Sequence, residues 1–236
     1  MTKIFCDIAD INLIKKFSKK KIIKGFTTNP TLMRQAGAVD YKSYSKKILE
    51  VCNNKPISFE VFADDYENMK NQALEITTWG KNVYVKIPII NSKNQFMGKL
   101  IKELNKRKIK LNITAVYNYS QANSILKCLD KKTKCIISLF VGRAADSGKD
   151  PIPEIYKTLR HSKKFKNVEI LWASVREPYN YTQAKQIGCQ IITVPPSIIE
   201  KIEKFGKSYK TLTINTVNNF LIDSRKSKFK IKDIKS

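Results

Sequence analysis

The sequence predicts an α/β protein built as a (β/α)8 barrel, the architecture called a TIM barrel, with an extra C-terminal helix. Short apolar runs alternate with longer amphipathic runs from end to end, which indicates repeated strand–helix units around a parallel sheet. About eight strand patterns are present, and a chain of 236 residues lies in the usual size range of such barrels. The glycine-rich turn that commonly follows the first strand of an open doubly wound sheet is missing.

The candidate strands are short runs rich in β-branched and aromatic residues. In chain order they are Lys3–Asp7, Ile22–Thr27, Pro56–Val61, Asn82–Ile87, Ile109–Thr114, Cys135–Val141, Val168–Ser174 and Gln190–Val194. After the eighth strand, Pro196–Phe205 and Tyr209–Arg225 have apolar residues at helical spacing. We therefore expect one barrel domain with a C-terminal helix over residues 1–225. Residues 226–236 form a basic tail, which is either loose or docked on a neighbouring subunit.

Polar residues interrupt several strands at every second position. Parallel strands that are buried on both faces normally consist of continuous apolar runs. In a barrel the apolar positions must face the helices, so the alternating polar positions line the interior. Clustered buried polar groups are costly unless each has a partner, and barrel enzymes place their chemistry at the carboxyl ends of strands. A functional site therefore explains the pattern better than a structural cluster. The residues concerned are Asp7, Thr27, Asn29, Ser58, Glu60, Tyr84, Lys86, Asn112, Thr114, Ser138 and Ser174.

Lys86 lies in the middle of the apolar run Asn82–Pro88. Burial disfavours a charged ammonium group, and a neutral amine is a nucleophile that can form a Schiff base with a carbonyl. The alternative is a strand-end lysine that reaches solvent, and this run alone favours that alternative. The rest of the chain reverses the preference, because Asp7 and Glu60 can transfer protons and Thr114 can position a water. We expect the amine of Lys86 to be kept uncharged by apolar walls.

The other charged candidates also have structural alternatives. Asp7 can cap a helix that begins near Ala9, and Glu60 can pair with a neighbouring lysine. Arg143 and Arg176 follow the sixth and seventh strands, where guanidinium groups suit a phosphate that they bind bidentately. The alternative for each is an ordinary surface arginine. Only six of the 45 basic residues are arginine, and this scarcity favours a role for the two.

Composition limits the other classes of function. The formal charge of +25 permits a nucleic-acid partner, but the basic residues are mostly lysines spread over polar faces. We therefore expect neither a nucleic-acid nor a membrane partner, although an anionic substrate would benefit from the field. Five scattered cysteines indicate reduced thiols, and the lone His161 is outside any ligand cluster, so no metal is expected. With no apolar run near the ~18–20 residues of a membrane span and no room for a signal peptide before Lys3, the cytoplasm is the expected location.

Five segments of the chain together resemble the transaldolase family. They are T-T-N-P-T at 27–31, V-K-I-P at 85–88, N-I-T at 112–114, S-L-F-V-G-R at 138–143 and A-S-V-R at 173–176. The first two are specific, and the other three are weak singly but strong in this order. The resemblance extends from Asp7 to about Pro196.

The resemblance implies a class I aldolase-type barrel that uses no metal or organic cofactor. Lys86 would be the Schiff-base lysine and Asp7 the acid–base residue for carbon–carbon cleavage. Glu60 and Thr114 would hold the water that serves carbinolamine dehydration. The implied substrate-binding residues are Asn29, Asn112 and Ser138 for donor hydroxyls, Arg143, Ser174 and Arg176 for the phosphate, Phe140 in the pocket wall, and Thr27 and Ser58 beside them.

A related branch of the family, the fructose-6-phosphate aldolases, has short chains like this one. That branch typically has glutamine at the position of Glu60 and tyrosine at that of Phe140, and it tends to lack Arg176. The site residues therefore resemble transaldolases although the length does not, and function is argued from residues. Leu139, where proline is usual, and the loop Ala144–Lys149 leave the acceptor preference open.

The expected function is that of a transaldolase of the pentose phosphate pathway. It would move a dihydroxyacetone unit from fructose 6-phosphate or sedoheptulose 7-phosphate to an aldose phosphate, in a homo-oligomer. One alternative is an aldolase that releases free dihydroxyacetone, and another is a transaldolase for an unusual sugar, such as a sulfonated one. The third alternative, of a different class, is a basic binding protein built on a barrel that has lost its chemistry.

Overall fold

The computed structural model describes residues 1–228 and 230–231. Eight parallel strands close into a barrel in chain order, with the last strand paired to the first. The predicted fold class is therefore confirmed. The strands are β1 (Lys3–Asp7), β2 (Ile23–Thr27), β3 (Ile57–Glu60), β4 (Val83–Pro88), β5 (Leu111–Val116), β6 (Cys135–Leu139), β7 (Val168–Trp172) and β8 (Ile191–Val194).

Helices separate the strands, and two connections contain a pair of helices. The described helices are α1 (Ile11–Ser18), α2 (Pro30–Gln35), α3 (Tyr41–Val51), α4 (Tyr66–Thr77), α5 (Gly98–Lys106), α6 (Tyr119–Leu126), α7 (Val141–Asp146), α8 (Ile152–Ser162), α9 (Tyr179–Gln186), α10 (Pro196–Ile202) and α11 (Tyr209–Ser227). Within the described part of the chain, none of them is long and apolar enough to cross a membrane.

Short polar residues begin many of these helices, because a side-chain oxygen there satisfies a free backbone N–H of the first turn. Asp10 caps α1 in this way by accepting a hydrogen bond from the Leu13 amide at 2.8 Å. The cap of α1 is therefore Asp10 and not Asp7, so the structural alternative for Asp7 is wrong. Asn29 caps α2 in the same manner, with its side-chain oxygen 2.9 Å from the Leu32 amide.

Two predicted strands run two residues past their observed carboxyl ends. β6 ends at Leu139 because Val141 already begins α7, and β7 ends at Trp172, so that Ser174 lies in the following loop. The backbones after these strands approach closely, because a side chain on Gly142 would overlap the carbonyl oxygen of Ser174. Ser174 has a φ of +65°, a left-handed conformation that is foreign to strands. The other strand ends lie within two residues of their predicted positions.

The barrel interior has an apolar layer below a polar one. On the interior side, a cluster of buried side chains extends from the amino-terminal half of the barrel to Ala173, just after the end of β7. Gly25 makes room for it, because a Cβ there would lie 2.6 Å from the ring of Phe5. The other half of the interior is left to the polar side chains two residues further along the strands. The apolar cluster contains Phe5, Tyr84, Ile136, Leu171, Ala173 and Ile191.

The chain divides into two compact units, one over residues 1–199 and a second that begins at Glu200. In the second unit, α11 is capped by Ser208, whose hydroxyl accepts a hydrogen bond from the Thr211 amide at 3.2 Å. The helix continues past the predicted end at Arg225 to Ser227. The predicted basic tail lies outside the described residues at 229 and 232–236. The domain limits expected from the sequence stay a prediction.

Candidate active site

A cavity of about 180 Å³ opens at the carboxyl ends of the strands. The structure brings most of the predicted site residues together there, and Ser58 and Glu60 contact residues of the wall. The interior position of the polar side chains agrees with their alternation along the strands. Of the predicted residues, the cavity is lined by Asp7, Thr27, Asn29, Lys86, Asn112, Thr114, Ser138, Phe140, Arg143, Ser174 and Arg176.

Strand register places the charged groups at one level of the barrel. Glu60 of β3 lies opposite Lys86 of β4, which in turn lies opposite Asn112 of β5. Asp7 of β1 lies opposite Thr27 of β2. Because neighbouring strands are less than about 5 Å apart, residues in register with the same parity come within reach of each other.

Lys86 is almost fully buried, with 7% of its surface exposed, so a lysine that reaches bulk solvent is wrong. Its Nζ lies 2.9 Å from Oε2 of Glu60 and donates a hydrogen bond to the carbonyl of Thr28 at 3.0 Å. The prediction of apolar walls around the amine is also wrong, because the neighbours of Nζ are a carboxylate and a carbonyl oxygen. The lysine that pairs with Glu60 is thus the candidate nucleophile itself.

Asp7 is half-buried and is held by a chain of hydroxyls. Thr27 Oγ1 donates to Asp7 Oδ1 at 2.6 Å and lies 2.5 Å from the hydroxyl of Thr193. Since Thr27 gives its only proton to Asp7, Thr193 is the donor in the second contact. Burial raises the pKa of Asp7 and the Glu60 charge adds to this effect, while Lys86 and the Thr27 hydroxyl oppose it. A raised pKa suits a carboxyl that must both take and give a proton.

Glu60 is fixed from outside the barrel by Tyr41 of α3. The Tyr41 hydroxyl donates to the Glu60 carbonyl and accepts from the Glu60 amide, both at 3.0 Å. Burial raises the pKa of Tyr41, so the phenol stays protonated and keeps both bonds. These two hydrogen bonds fix the end of β3, and they thereby hold the Glu60 carboxylate beside Lys86.

Three polar side chains form a row across the interior. Asn112 donates from Nδ2 to the hydroxyl of Ser58 at 2.9 Å, and Ser138 donates to Oδ1 of Asn112 at 2.7 Å. All three are at most 2% exposed. The row fixes the orientation of the amide and leaves Asn112 one N–H for a ligand. Nearby, the buried Thr114 hydroxyl has no hydrogen-bond partner in the described part of the chain.

The two arginines differ in what they contact. The guanidinium of Arg143 is exposed and lies 5.0 Å from the ring centre of Phe140, a cation–π contact. Arg176 binds the carboxylate of Asp146, with Nε 3.0 Å and Nη2 2.5 Å from Oδ2. This contact lowers the pKa of Asp146 and raises that of Arg176. The Asp146 carboxylate therefore binds the guanidinium group of Arg176, which the sequence analysis assigns to phosphate binding.

Thr193, Tyr41 and Asp146 were missed by the reasoning from sequence. Strand alternation could have identified Thr193, because this residue lies two positions after the interior-facing Ile191 on the eighth strand. Tyr41 and Asp146 belong to helices, where strand parity gives no signal.

Comparisons with solved structures agree with the barrel architecture. A putative dihydrodipicolinate synthase family protein from Coccidioides immitis aligns with a TM-score of 0.60 at 8% identity, over 80% of this chain and 65% of that one. A putative phosphonomutase from Burkholderia cenocepacia aligns with a TM-score of 0.55 at 9% identity, over 92% and 94%. At such identities the likeness shows the fold alone.

Sequence relatives identify the family. Residues 4–235 match the family described as Transaldolase/Fructose-6-phosphate aldolase. A probable transaldolase from Nitrosopumilus maritimus is 33% identical over an alignment of 239 positions that covers 99% of each chain. Another from Dehalococcoides mccartyi is 36% identical over 198 residues, which cover 84% of this chain and 88% of the relative. The chain belongs to the transaldolase/fructose-6-phosphate aldolase family, and the resemblance seen in the sequence motifs is confirmed.

Proposed function

We propose that the protein is a cytoplasmic transaldolase that transfers a dihydroxyacetone unit through a Schiff base on Lys86. The donor is fructose 6-phosphate or sedoheptulose 7-phosphate, the acceptor is an aldose phosphate, and the enzyme works as a homo-oligomer in the pentose phosphate pathway. The observation that carries the proposal is the buried contact of 2.9 Å between the Lys86 amine and the Glu60 carboxylate. It supplies a nucleophile and a proton acceptor at one point of the cavity.

Formation of the Schiff base begins with proton transfer from the Lys86 ammonium to Glu60. The free amine adds to the ketone carbon of the donor, and Glu60 returns the proton to the carbonyl oxygen as the carbinolamine forms. The Glu60 carboxylate then takes a proton from the nitrogen and passes it to that oxygen, which departs as water held by the free hydroxyl of Thr114. The product of these steps is an iminium ion, with its positive charge at the Lys86 nitrogen.

Carbon–carbon cleavage uses Asp7. Its carboxylate takes the proton from the hydroxyl on the far carbon of the bond that breaks, and the bonding electrons move into the iminium to give an enamine. The first aldehyde leaves and the acceptor aldehyde enters. The enamine attacks its carbonyl carbon while Asp7 protonates the new alkoxide. Water then hydrolyses the iminium ion, and the ketose product is released.

The remaining residues orient the sugar. The free N–H of Asn112 and the Ser138 hydroxyl bind donor hydroxyls, and so does the amide nitrogen of Asn29, whose oxygen caps α2. Arg143, Arg176 and Ser174 bind the phosphate at the mouth of the cavity. Because bidentate carboxylate and phosphate contacts use the same guanidinium edge, phosphate binding replaces Asp146 on Arg176.

The alternative activity is release of free dihydroxyacetone, which the short chain length favours. Glu60→Gln distinguishes the two, because glutamine cannot take the proton from Lys86 but preserves the shape of the side chain. We expect transfer from fructose 6-phosphate to erythrose 4-phosphate to fall about a hundredfold, the usual range for a lost acid–base group. Simple aldol cleavage should then form a larger share of the products. The measurement is the rate of each product with and without acceptor.

The matched control is Glu169→Gln, since Glu169 pairs with Lys3 at 2.7 Å far from the cavity. It should transfer at the wild-type rate. Unchanged transfer by Glu60→Gln would show that the proton relay is wrongly assigned, and equal rates with and without acceptor in the wild type would identify the aldolase activity.

A further inference from the structure

A second concave region lies at the amino-terminal ends of the strands, opposite the candidate active site. Two adjacent depressions of about 530 and 670 Å³ share Tyr84 and Lys134. Their walls come from residues at or just before the starts of the strands, such as Asn82 before β4, Lys110 before β5 and Gln190 before β8. We call the two depressions together the amino-terminal groove.

The amino-terminal groove is strongly positive. One depression is lined by Lys131, Lys132, Lys134, Lys163 and Lys166, and the other adds Lys81 and Lys110. In the described part of the chain, none of these seven ammonium groups forms an ion pair.

The nearby carboxylates are already engaged. Glu169 is the only acidic residue in the described lining of the groove, and it binds Lys3 at 2.7 Å. Asp130 precedes the lysines along the chain, but it accepts hydrogen bonds from the Lys132 and Thr133 amides and binds Lys108 at 3.2 Å. The groove therefore keeps an excess of positive charge that no described side chain offsets.

Lys110 shows that the charges repel each other. It is half-buried, and burial together with the charge of Lys134 lowers its pKa. Its ammonium donates to the carbonyl of Lys81 and lies 5.4 Å from the ring centre of Tyr84. Like charges held together raise the free energy of the folded state, and a bound anion would remove that penalty.

Tyr84 supplies a hydrogen-bond donor at the junction of the two depressions. It is 7% exposed and belongs to the apolar layer of the barrel, yet its hydroxyl has no hydrogen-bond partner in the described part of the chain. Burial raises the pKa of Tyr84 to about 12, so the phenol is protonated at neutral pH. Because Tyr84 lines both depressions, an anion bound there would accept a hydrogen bond from its phenol.

We propose that the amino-terminal groove binds a small molecule that carries a chain of two or three phosphate groups. The phosphate nearest the barrel axis accepts a hydrogen bond from Tyr84 and contacts Lys110 and Lys134, and the others reach the outer lysines. A single phosphate is too small for the paired depressions and for their number of ammonium groups. A nucleic-acid strand fits less well, because it is usually bound with exposed aromatic residues and arginine, and the groove has no arginine in its described lining.

The test is calorimetric titration of the full chain with inorganic tripolyphosphate at constant ionic strength. The double variant Lys110→Gln/Lys134→Gln removes the two central charges, and we expect its Kd to rise at least tenfold. Tyr84→Phe removes only the donor and should raise Kd severalfold. The matched control is Lys47→Gln/Lys127→Gln, which loses the same net charge at exposed positions outside the lining of the groove. It should bind as the wild type does.

Two further arms fix the site and the ligand. Arg143→Ala/Arg176→Ala should retain binding, which would separate the groove from the candidate active site. ATP should bind with a Kd similar to that of tripolyphosphate, because the phosphate chain is what the groove recognises. Equal weakening in the control variant would overturn the proposal in favour of diffuse surface charge. Binding of orthophosphate as tight as that of tripolyphosphate would overturn it as well. Retained binding by Lys110→Gln/Lys134→Gln would likewise exclude the groove.

Discussion

At Asp7, opposing forces act on a single carboxyl. Burial and the negative charge of Glu60 disfavour its ionised form, and the Lys86 ammonium and the Thr27 hydroxyl favour that form. The net effect is a raised pKa, so the folded protein binds a proton at Asp7 more tightly than the unfolded chain does. Ionisation of Asp7 thus lowers the stability of the folded protein, as is common for carboxylates that serve catalysis.

This imbalance predicts the pH dependence of stability. The pKa of Asp7 in the folded protein lies above the ordinary value of 3.8. The stabilisation that results from this shift is fully present below pH 3.8, and it is lost as pH rises through the folded-state pKa. Asp7→Asn mimics the protonated form, so it should raise the free energy of unfolding at pH 7 while abolishing transfer. Denaturant unfolding at pH 7 and at pH 3.5 measures the difference in free energy of unfolding between Asp7→Asn and the wild type. This difference should be smaller at pH 3.5. A variant less stable than the wild type at pH 7 would contradict the assignment.

At the scale of elements, the loops after β6 and β7 determine the shape of the phosphate end. The close approach of Gly142 to the Ser174 carbonyl brings Arg143 and Arg176 to the same side of the cavity. Leu139, where related chains usually have proline, is buried at the end of β6 and does not disturb this contact. The geometry of the two loops thus depends on one backbone contact.

Gly142→Ala should therefore be strongly destabilising. Its Cβ would overlap backbone rather than a flexible side chain, so the loops must separate, at a cost of about 3 kcal/mol, the upper part of the usual range for overpacking. The matched control is Gly80→Ala, whose Cβ would meet a side-chain atom of Asn82 at 3.0 Å. Thermal unfolding should show a much larger loss for Gly142→Ala, and equal losses would mean that the contact is not rigid.

The pair between Asp146 and Arg176 links α7 to the loop after β7, and it competes with the substrate phosphate in the proposed function. Asp146→Asn removes the competing charge and leaves Arg176 in place. An exposed ion pair is worth up to about 1 kcal/mol, so KM for fructose 6-phosphate should fall by roughly fivefold at most. Stability should change little. Steady-state kinetics at low salt measure the effect, and an increase in KM would show that Asp146 supports phosphate binding instead.

At the scale of the whole molecule, much of the site follows from strand periodicity. Alternation along β3, β4 and β5 places Glu60, Lys86 and Asn112 in the barrel interior, and the register of parallel strands brings them to one level. Periodicity does not give the partners of those side chains. The sequence therefore indicated the position of Lys86 but not its surroundings. The 2.9 Å contact between its amine and the Glu60 carboxylate depends on the side-chain rotamers of both residues, which lie on different strands.

Other features depend on contacts between distant segments. Tyr41 reaches Glu60 from a helix, and Asp146 reaches Arg176 across two loops. The amino-terminal groove collects lysines from several strand starts that the sequence shows only as a general excess of positive charge. These contacts arise from closure of the barrel, which brings the starts of the strands together at one end and their carboxyl ends together at the other.

The central claim is that the Lys86 amine attacks the donor carbonyl. Borohydride reduction in the presence of fructose 6-phosphate, followed by peptide mass spectrometry, tests it directly. We predict one stable adduct on the peptide that contains Lys86, its loss in Lys86→Ala, and its persistence in Lys110→Ala, which removes another half-buried lysine. Absence of an adduct in the wild type, or equal labelling of Lys86→Ala, would contradict a Schiff base on Lys86.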